Sequence, residues 1–267
     1  MSPIFGSAGR IGYIAPSTAE RVAKEFYELV PEELGLLIAT LPIVRISDSD
    51  VQHALDRIEK RARQLVETGA EAVFSAGIPL ALAGGGEGFD TQLRERLSAA
   101  TGVPCATDFG AALAAIRSIG AQKIALVTPF TVEYTTRIST ALWESEIEVV
   151  AERGFGYDTQ KGYGMLSTSM IDDAVRSVAG KASNIEAVYV PCGRIGSVRG
   201  LKDLEAELGI PVITANQILI WWSLNITGLA PTSDTGGALL NGLSEGSKSP
   251  IEFSDPRRMA PTRRLTC

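Results

Sequence analysis

The chain has 267 residues, 45% hydrophobic and 21% charged, with 25 Lys and Arg against 31 Asp and Glu and a net charge of −6. That balance suits a soluble globular protein and offers none of the clustered basic surface that nucleic-acid binding needs. No run approaches the roughly eighteen apolar residues of a membrane helix, and three scattered cysteines with a single histidine make neither a disulfide framework nor a zinc or His-rich metal site.

In chain order, short apolar runs alternate with helical patterns. The start, MSPIFGSAGRIGYIAPS, lacks the basic-then-apolar organisation of a secretory leader, and the expectation is a cytoplasmic protein. RIGYIAPST at 10–18 predicts a buried strand ending at Pro16, Ser17 and Thr18. A helix over 50–68 begins at Asp/Ser caps and stops before Gly69; His53, the one histidine, falls on its outer face. EAVFSAGIP at 71–79 is the next strand, ending at Ala76, Gly77, Ile78 and Pro79. AGGGEG at 83–88 lacks the Lys-Ser/Thr of a phosphate loop and reads as a flexible loop. A helix over 91–100 precedes TGVPCAT at 101–107, a buried strand in which Cys105 is inert, and a helix over 110–119 follows.

KIALVTPFT at 123–131 ends at Thr128, Pro129, Phe130 and Thr131, with Thr131 placed to cap the helix over 132–144. Tyr134, one turn in, reads as core. After a helix over 169–180 comes EAVYVPCGR at 186–194, ending at Cys192, Gly193 and Arg194. A helix over 198–208, the strand LGIPVIT at 208–214 and an apolar helix over 215–225 complete the pattern. Trp221 and Trp222 in that last helix belong either to the core or to the interface of a homodimer. The tail SPIEFSDPRRMAPTRRLTC reads as an extension ending at an unrelated Cys267.

The chain repeats itself. RIGYIAPST aligns without gaps on KIALVTPFT, EAVFSAGIP on EAVYVPCGR, and TGVPCAT on LGIPVIT, in the same order and with similar separations. Strands alternating with helices build right-handed βαβ units and a parallel sheet. The expected fold is therefore α/β, with two pseudo-twofold-related lobes, each a mostly parallel sheet flanked by helices. We expect the first lobe over 1–117 plus 215–250, the second over 118–214 and an extension over 251–267. Ligands bind beyond the carboxyl ends of such strands, so a cleft between the lobes gathers the strand-end residues. The duplication also makes Gly77 the counterpart of Cys192.

These segments, together with EFYELVPE, LVTPFTVEYTTR and LKDLEAELGIPVITANQILIWWSL, resemble the Asp/Glu racemase superfamily, in its branch of maleate cis-trans isomerases and arylmalonate decarboxylases. The resemblance runs from Arg10 to about Leu224. It implies that isomerases carry one cysteine per lobe, whereas decarboxylases have glycine at the first position and keep the second cysteine as proton donor to an enediolate. Gly77 with Cys192 is the decarboxylase-like arrangement. Delivering a proton to one face needs one acid, and two-base chemistry needs two. The resemblance further implies no cofactor or metal, and a small carboxylate substrate.

The chain departs from that family's pattern where Thr and Ser donors are replaced by Ile78 and Pro79, a Tyr by Phe130, and an Asn by Ala19. Proline has no N–H to donate. The expected site is Cys192 as catalytic acid, with Pro16, Ser17, Thr18, Gly77, Ile78, Pro79, Thr128, Phe130, Gly193 and Arg194 around the substrate. Three functions stay open: a malonate-type decarboxylase, a maleate isomerase-like enzyme, and a small-carboxylate-binding protein with reduced catalysis.

Overall fold

The computed structural model describes residues 6–243, so the expected extension over 251–267 and Cys267 lie outside the described residues. The first lobe runs β1 (Gly9–Ala15), α1 (Glu20–Leu29), β2 (Leu34–Thr40), α2 (Asp48–Glu67), β3 (Ala72–Ser75), α3 (Ile78–Ala81), α4 (Glu87–Thr101), β4 (Cys105–Thr107) and α5 (Asp108–Ser118). The second runs β5 (Lys123–Phe130), α6 (Val132–Glu144), β6 (Glu148–Tyr157), α7 (Gln160–Tyr163), α8 (Thr168–Ala179), β7 (Ala187–Val190), α9 (Leu201–Leu208) and β8 (Val212–Thr214). Then α10 (Ala215–Thr227) crosses back to pack on α5 and α1, and α11 (Ala238–Asn241) packs on α10.

Both sheets are parallel, four-stranded and ordered alike: β2-β1-β3-β4 and β6-β5-β7-β8. The inner strands β3 and β7 are buried at every position. This is why AVFS and AVYV are continuous apolar runs rather than alternating ones. Register carries the repeat into space, since Ser75 pairs with Thr107 in one sheet and Val190 with Thr214 in the other.

Helix α1 and strands β2 and β6 are elements that neither the repeat nor the predicted helices cover. Helix α1 forms because Val22, Phe26 and Leu29 recur at helical spacing and bury one face. Strands β2 and β6 are sheet edges: β6 mixes charged with apolar residues, whereas β2, LGLLIAT, is apolar but only half-buried over much of its length. His53 is exposed on α2, and Cys105 is buried. Trp221 and Trp222 are both buried within the chain, the latter edge-on to Phe74, so they serve the core and present no subunit interface. Among the described residues no helix is long and apolar enough to cross a membrane.

Candidate active site

A narrow cleft with about 50 Å³ of free volume collects residues at the ends of strands in both sheets. Pro16 follows β1, Gly77 follows β3 and Asp108 follows β4; Phe130 ends β5, Cys192 follows β7 and Ala215 follows β8.

Cys192 holds a backbone φ of +97°, a conformation that costs a β-carbon-bearing residue about 1–2 kcal/mol. Such strain persists where the surroundings over-determine it. Here the Cys192 carbonyl accepts from the N–H groups of Ile195 at 3.1 Å and Gly196 at 2.9 Å, closing a tight turn. Asn216 then locks that turn, its Nδ2 donating to the carbonyls of Gly193 at 3.2 Å and Gly196 at 2.8 Å and to Glu25 Oε2 at 2.8 Å. Glu25, buried on α1 of the other lobe, also accepts from Ser197 Oγ at 2.8 Å and Val198 N–H at 3.3 Å. A β-carbon at position 193 would come within 2.8 Å of Asn216 Oδ1, which is why the residue after the cysteine is glycine.

Burial pushes the Cys192 thiol up to about 11, and the negative charge of Asp108 adds to the shift. The backbone N–H groups of Arg194 and Ile195 and the Arg194 guanidinium oppose it. The group is therefore a protonated thiol at neutral pH, with two amides ready to stabilise the anion it leaves after donating.

Gly77 is the geometric twin of Cys192, with a φ of +111°. The space beside it is modest, because a β-carbon there would stand 3.3 Å from Pro16 Cβ. Its N–H does not point to an empty anion site. It donates to Asp108 Oδ2 at 3.0 Å, and Ile78 N–H donates to the same carboxyl group. Asp108 is 3% exposed, and burial pushes its carboxyl up to about 6 against the pull of those two amides.

The remaining walls are apolar: Val22, Ile43, Ile46, Ile78, Pro79 and Phe130, with Tyr13 and Phe74 nearby. A strap joins the lobes over one side. Ile46 N–H donates to the Asp158 carbonyl at 2.9 Å, Gln160 N–H donates to the Val44 carbonyl at 3.0 Å, and Arg45 pairs with Asp158. Tyr163 sits under the strap edge-on to Phe130, centroids 5.5 Å apart. Arg194 leans across to Thr18 and lies 3.4 Å from Glu20, so its guanidinium is shared with the first lobe.

Of the residues expected at the site, Cys192, Pro16, Thr18, Gly77, Ile78, Pro79, Phe130, Gly193 and Arg194 line the cleft. Ser17 is half-buried beside it and does not line it. Thr128 is fully buried, its hydroxyl 2.6 Å from that of Thr135 and accepting from Phe130 N–H at 3.2 Å, so it braces the strand end. Thr131 caps α6 through Tyr134 N–H, and Tyr134 is core against Phe130. The sequence reading omitted Asp108, Tyr13, Phe74, Gln160, Tyr163, Ile43, Ile46, Val22 and Ala215. For Asp108 a signal existed, because it aligns with Ala215 one residue beyond the third repeated segment.

A family model described as arylmalonate decarboxylase matches residues 11–240. The arylmalonate decarboxylase of Bordetella bronchiseptica is 23% identical over 222 residues, covering 83% of this chain and 92% of that protein. A maleate isomerase of Geobacillus stearothermophilus is 22% identical over 247 residues, covering 87% of this chain and 97% of its own length. Among solved structures, a maleate isomerase of Pseudomonas putida S16 superposes with a TM-score of 0.82 at 21% identity, over 88% of this chain and 99% of that one. A liganded arylmalonate decarboxylase mutant, with a glycine changed to cysteine and a cysteine to serine, superposes with a TM-score of 0.81 at 22% identity, over 87% of this chain and 99% of that one.

Proposed function

The chain belongs to the arylmalonate decarboxylase family, and on that premise we propose that it decarboxylates a malonate-type acid without a cofactor, with Cys192 as the proton donor. The observation that carries this reading is a single thiol, held protonated, facing a glycine turn across the cleft.

One carboxylate of the substrate rests at the turn of Cys192, Gly193 and Arg194, whose backbone amides supply the positive end of aligned dipoles. The other carboxylate faces the apolar wall of Ile43, Ile46 and Ile78, where a charge is poorly solvated and neutral carbon dioxide is not. As the C–C bond breaks, its electron pair passes into the retained carboxylate and forms an enediolate. Cys192 then gives its S–H proton to the α-carbon from one side, and solvent reprotonates the thiolate. Proton transfer from a positioned acid contributes about 10²–10⁴-fold.

A maleate isomerase-like reaction asks the thiolate to add to a double bond. With the thiol pushed up to about 11, the thiolate fraction near neutrality is on the order of 10⁻⁴–10⁻³. The first-lobe turn carries no second thiol.

The deciding experiment measures carbon dioxide release from phenylmalonate by wild type and C192A, with maleate-to-fumarate conversion followed by ultraviolet absorbance in parallel. We expect decarboxylation by wild type, a loss of at least ~10²-fold in C192A, and no isomerisation. Equal turnover by C192A would sink the assignment of the acid. A phenylmalonate that binds without ever being converted would favour a carboxylate-binding protein instead.

A further inference from the structure

We propose that Asp108 is a second acid–base group of this cleft, facing Cys192 from the first lobe, so that the protein also exchanges and inverts the α-proton of a monocarboxylic acid with an apolar α-substituent. The proposal deepens the enediolate reading above and rests on it.

The duplication locates the group. Gly77 and Cys192 occupy equivalent turns after β3 and β7, and Asp108 and Ala215 occupy equivalent positions after β4 and β8. All four line the cleft. The second lobe thus carries a thiol on one turn and a methyl group on the next; the first lobe carries a bare turn and then a carboxyl group. On these paired turns each half carries one acid–base group, after neighbouring strands rather than the same one.

The surroundings of Asp108 show that a structural role leaves part of it unused. Helix α5, which it begins, is already capped by Thr107, whose Oγ1 accepts from Gly110 N–H at 3.3 Å. Asp108 Oδ2 is the oxygen that accepts, holding the Gly77 amide at 3.0 Å. Oδ1 is buried and meets no hydrogen-bond partner among the described residues. A carboxyl oxygen buried at a cleft wall without a partner is costly to keep unless the chemistry of the site uses it. Asp108 and Cys192 line the same narrow cleft of about 50 Å³, and the negative charge of Asp108 helps to raise the Cys192 thiol.

Decarboxylation and deprotonation reach the same enediolate from different starting acids. In the second case the α C–H bond breaks, its proton goes to Asp108 Oδ1, and its electron pair enters the substrate carboxylate. Cys192 then delivers its S–H proton to the opposite side of the α-carbon. The α-carbon is inverted, leaving a thiolate and a protonated Asp108; solvent reprotonates the sulfur and takes the carboxyl proton. No oxidant, reductant or second substrate enters.

The test incubates each enantiomer of 2-phenylpropionate with the full chain in D₂O and follows α-deuterium by mass and handedness by chiral chromatography. Wild type is expected to introduce deuterium with inversion. D108N, whose amide oxygen still accepts from Gly77, is expected to exchange at least 100-fold more slowly while circular dichroism stays native. If D108N does not fold, C192A decides: exchange of one enantiomer without inversion supports the proposal, and none overturns it. It also falls if wild type exchanges no deuterium, or if folded D108N matches wild type within threefold. Carbon dioxide release from phenylmalonate, run alongside, reports on the decarboxylase reading separately: release without exchange sinks only the role of Asp108, and exchange without release sinks only decarboxylation.

Discussion

Replacing Asp108 by Asn should change the way stability depends on pH, and the size follows from the burial of that one carboxyl group. Its pKa rises from an ordinary 3.8 to about 6, with burial as the largest cause. A raised carboxyl pKa means that the ionised form is disfavoured in the folded state. The penalty is therefore fully present above pH 6, is relieved as pH falls through the folded value, and is gone below the unfolded one. A shift of about two units corresponds to about 3 kcal/mol of penalty at pH 8. On acidification to pH 5 the linkage relation returns about 1.4 kcal/mol of it. Asp90 is raised similarly, to about 6; its largest cause, burial, is common to both proteins and cancels, and the smaller part that comes from the Asp108 charge is lost in D108N. Urea unfolding of wild type and D108N at pH 8 and pH 5 checks this. The gap between them should move by about 1.4 kcal/mol in favour of wild type on going to pH 5. A gap independent of pH would mean that Asp108 titrates in the folded protein as an ordinary solvated carboxyl does.

At position 192 the φ of +97° predicts that C192G is more stable than C192A by about 1 kcal/mol, read from urea midpoints; an alanine variant of equal or greater stability would remove the strain argument. At Glu25, glutamine puts an N–H₂ donor among groups that donate to the native carboxylate. E25Q should lose about 1–3 kcal/mol in unfolding experiments and lower kcat for phenylmalonate more than it raises KM. Unchanged stability and kcat would show that the turn after Cys192 holds itself.

Much of the architecture was legible because duplication wrote it twice. Each repeated strand is a short apolar run ending near Pro, Gly or Thr, and two copies in the same order point to two like sheets with a cleft between them, while the strand order within each sheet came from the structure. The edge strands were harder: β6 mixes charged residues into its run, and β2, though apolar, falls in none of the repeated segments. At the site, Cys192 and Gly77 stood out by resemblance and by their equivalence in the repeat. Thr128 did not behave as its position at a strand end suggested, because a hydroxyl there is equally suited to bonding the neighbouring helix, and Thr135 lies within reach to accept that role. Asp108 is easily passed over for a related reason: although it stands opposite Ala215 in the repeat, an acidic residue opening a helix is the ordinary complement to the helix dipole. Only the fold shows its carboxyl turned to the Gly77 amide and the cleft. Gln160 and Tyr163 come from a short helix after an edge strand, where no pattern announces a roof.

The two lobes are tied at opposite margins of the cleft by bonds of unequal strength. On the margin of α1, buried Glu25 reaches across to Ser197, Val198 and Asn216, and each hydrogen bond to a charged group contributes about 1.5–3 kcal/mol. On the other margin the strap offers two backbone bonds and an exposed Arg45–Asp158 pair, and an exposed pair is worth about 0–1 kcal/mol. Of the two margins, the one at Glu25 is therefore the more tightly held, and disturbing the strap costs less than disturbing the buried bonds behind Cys192. A change in the strap thus leaves in place the Asn216 bonds that shape the cysteine turn.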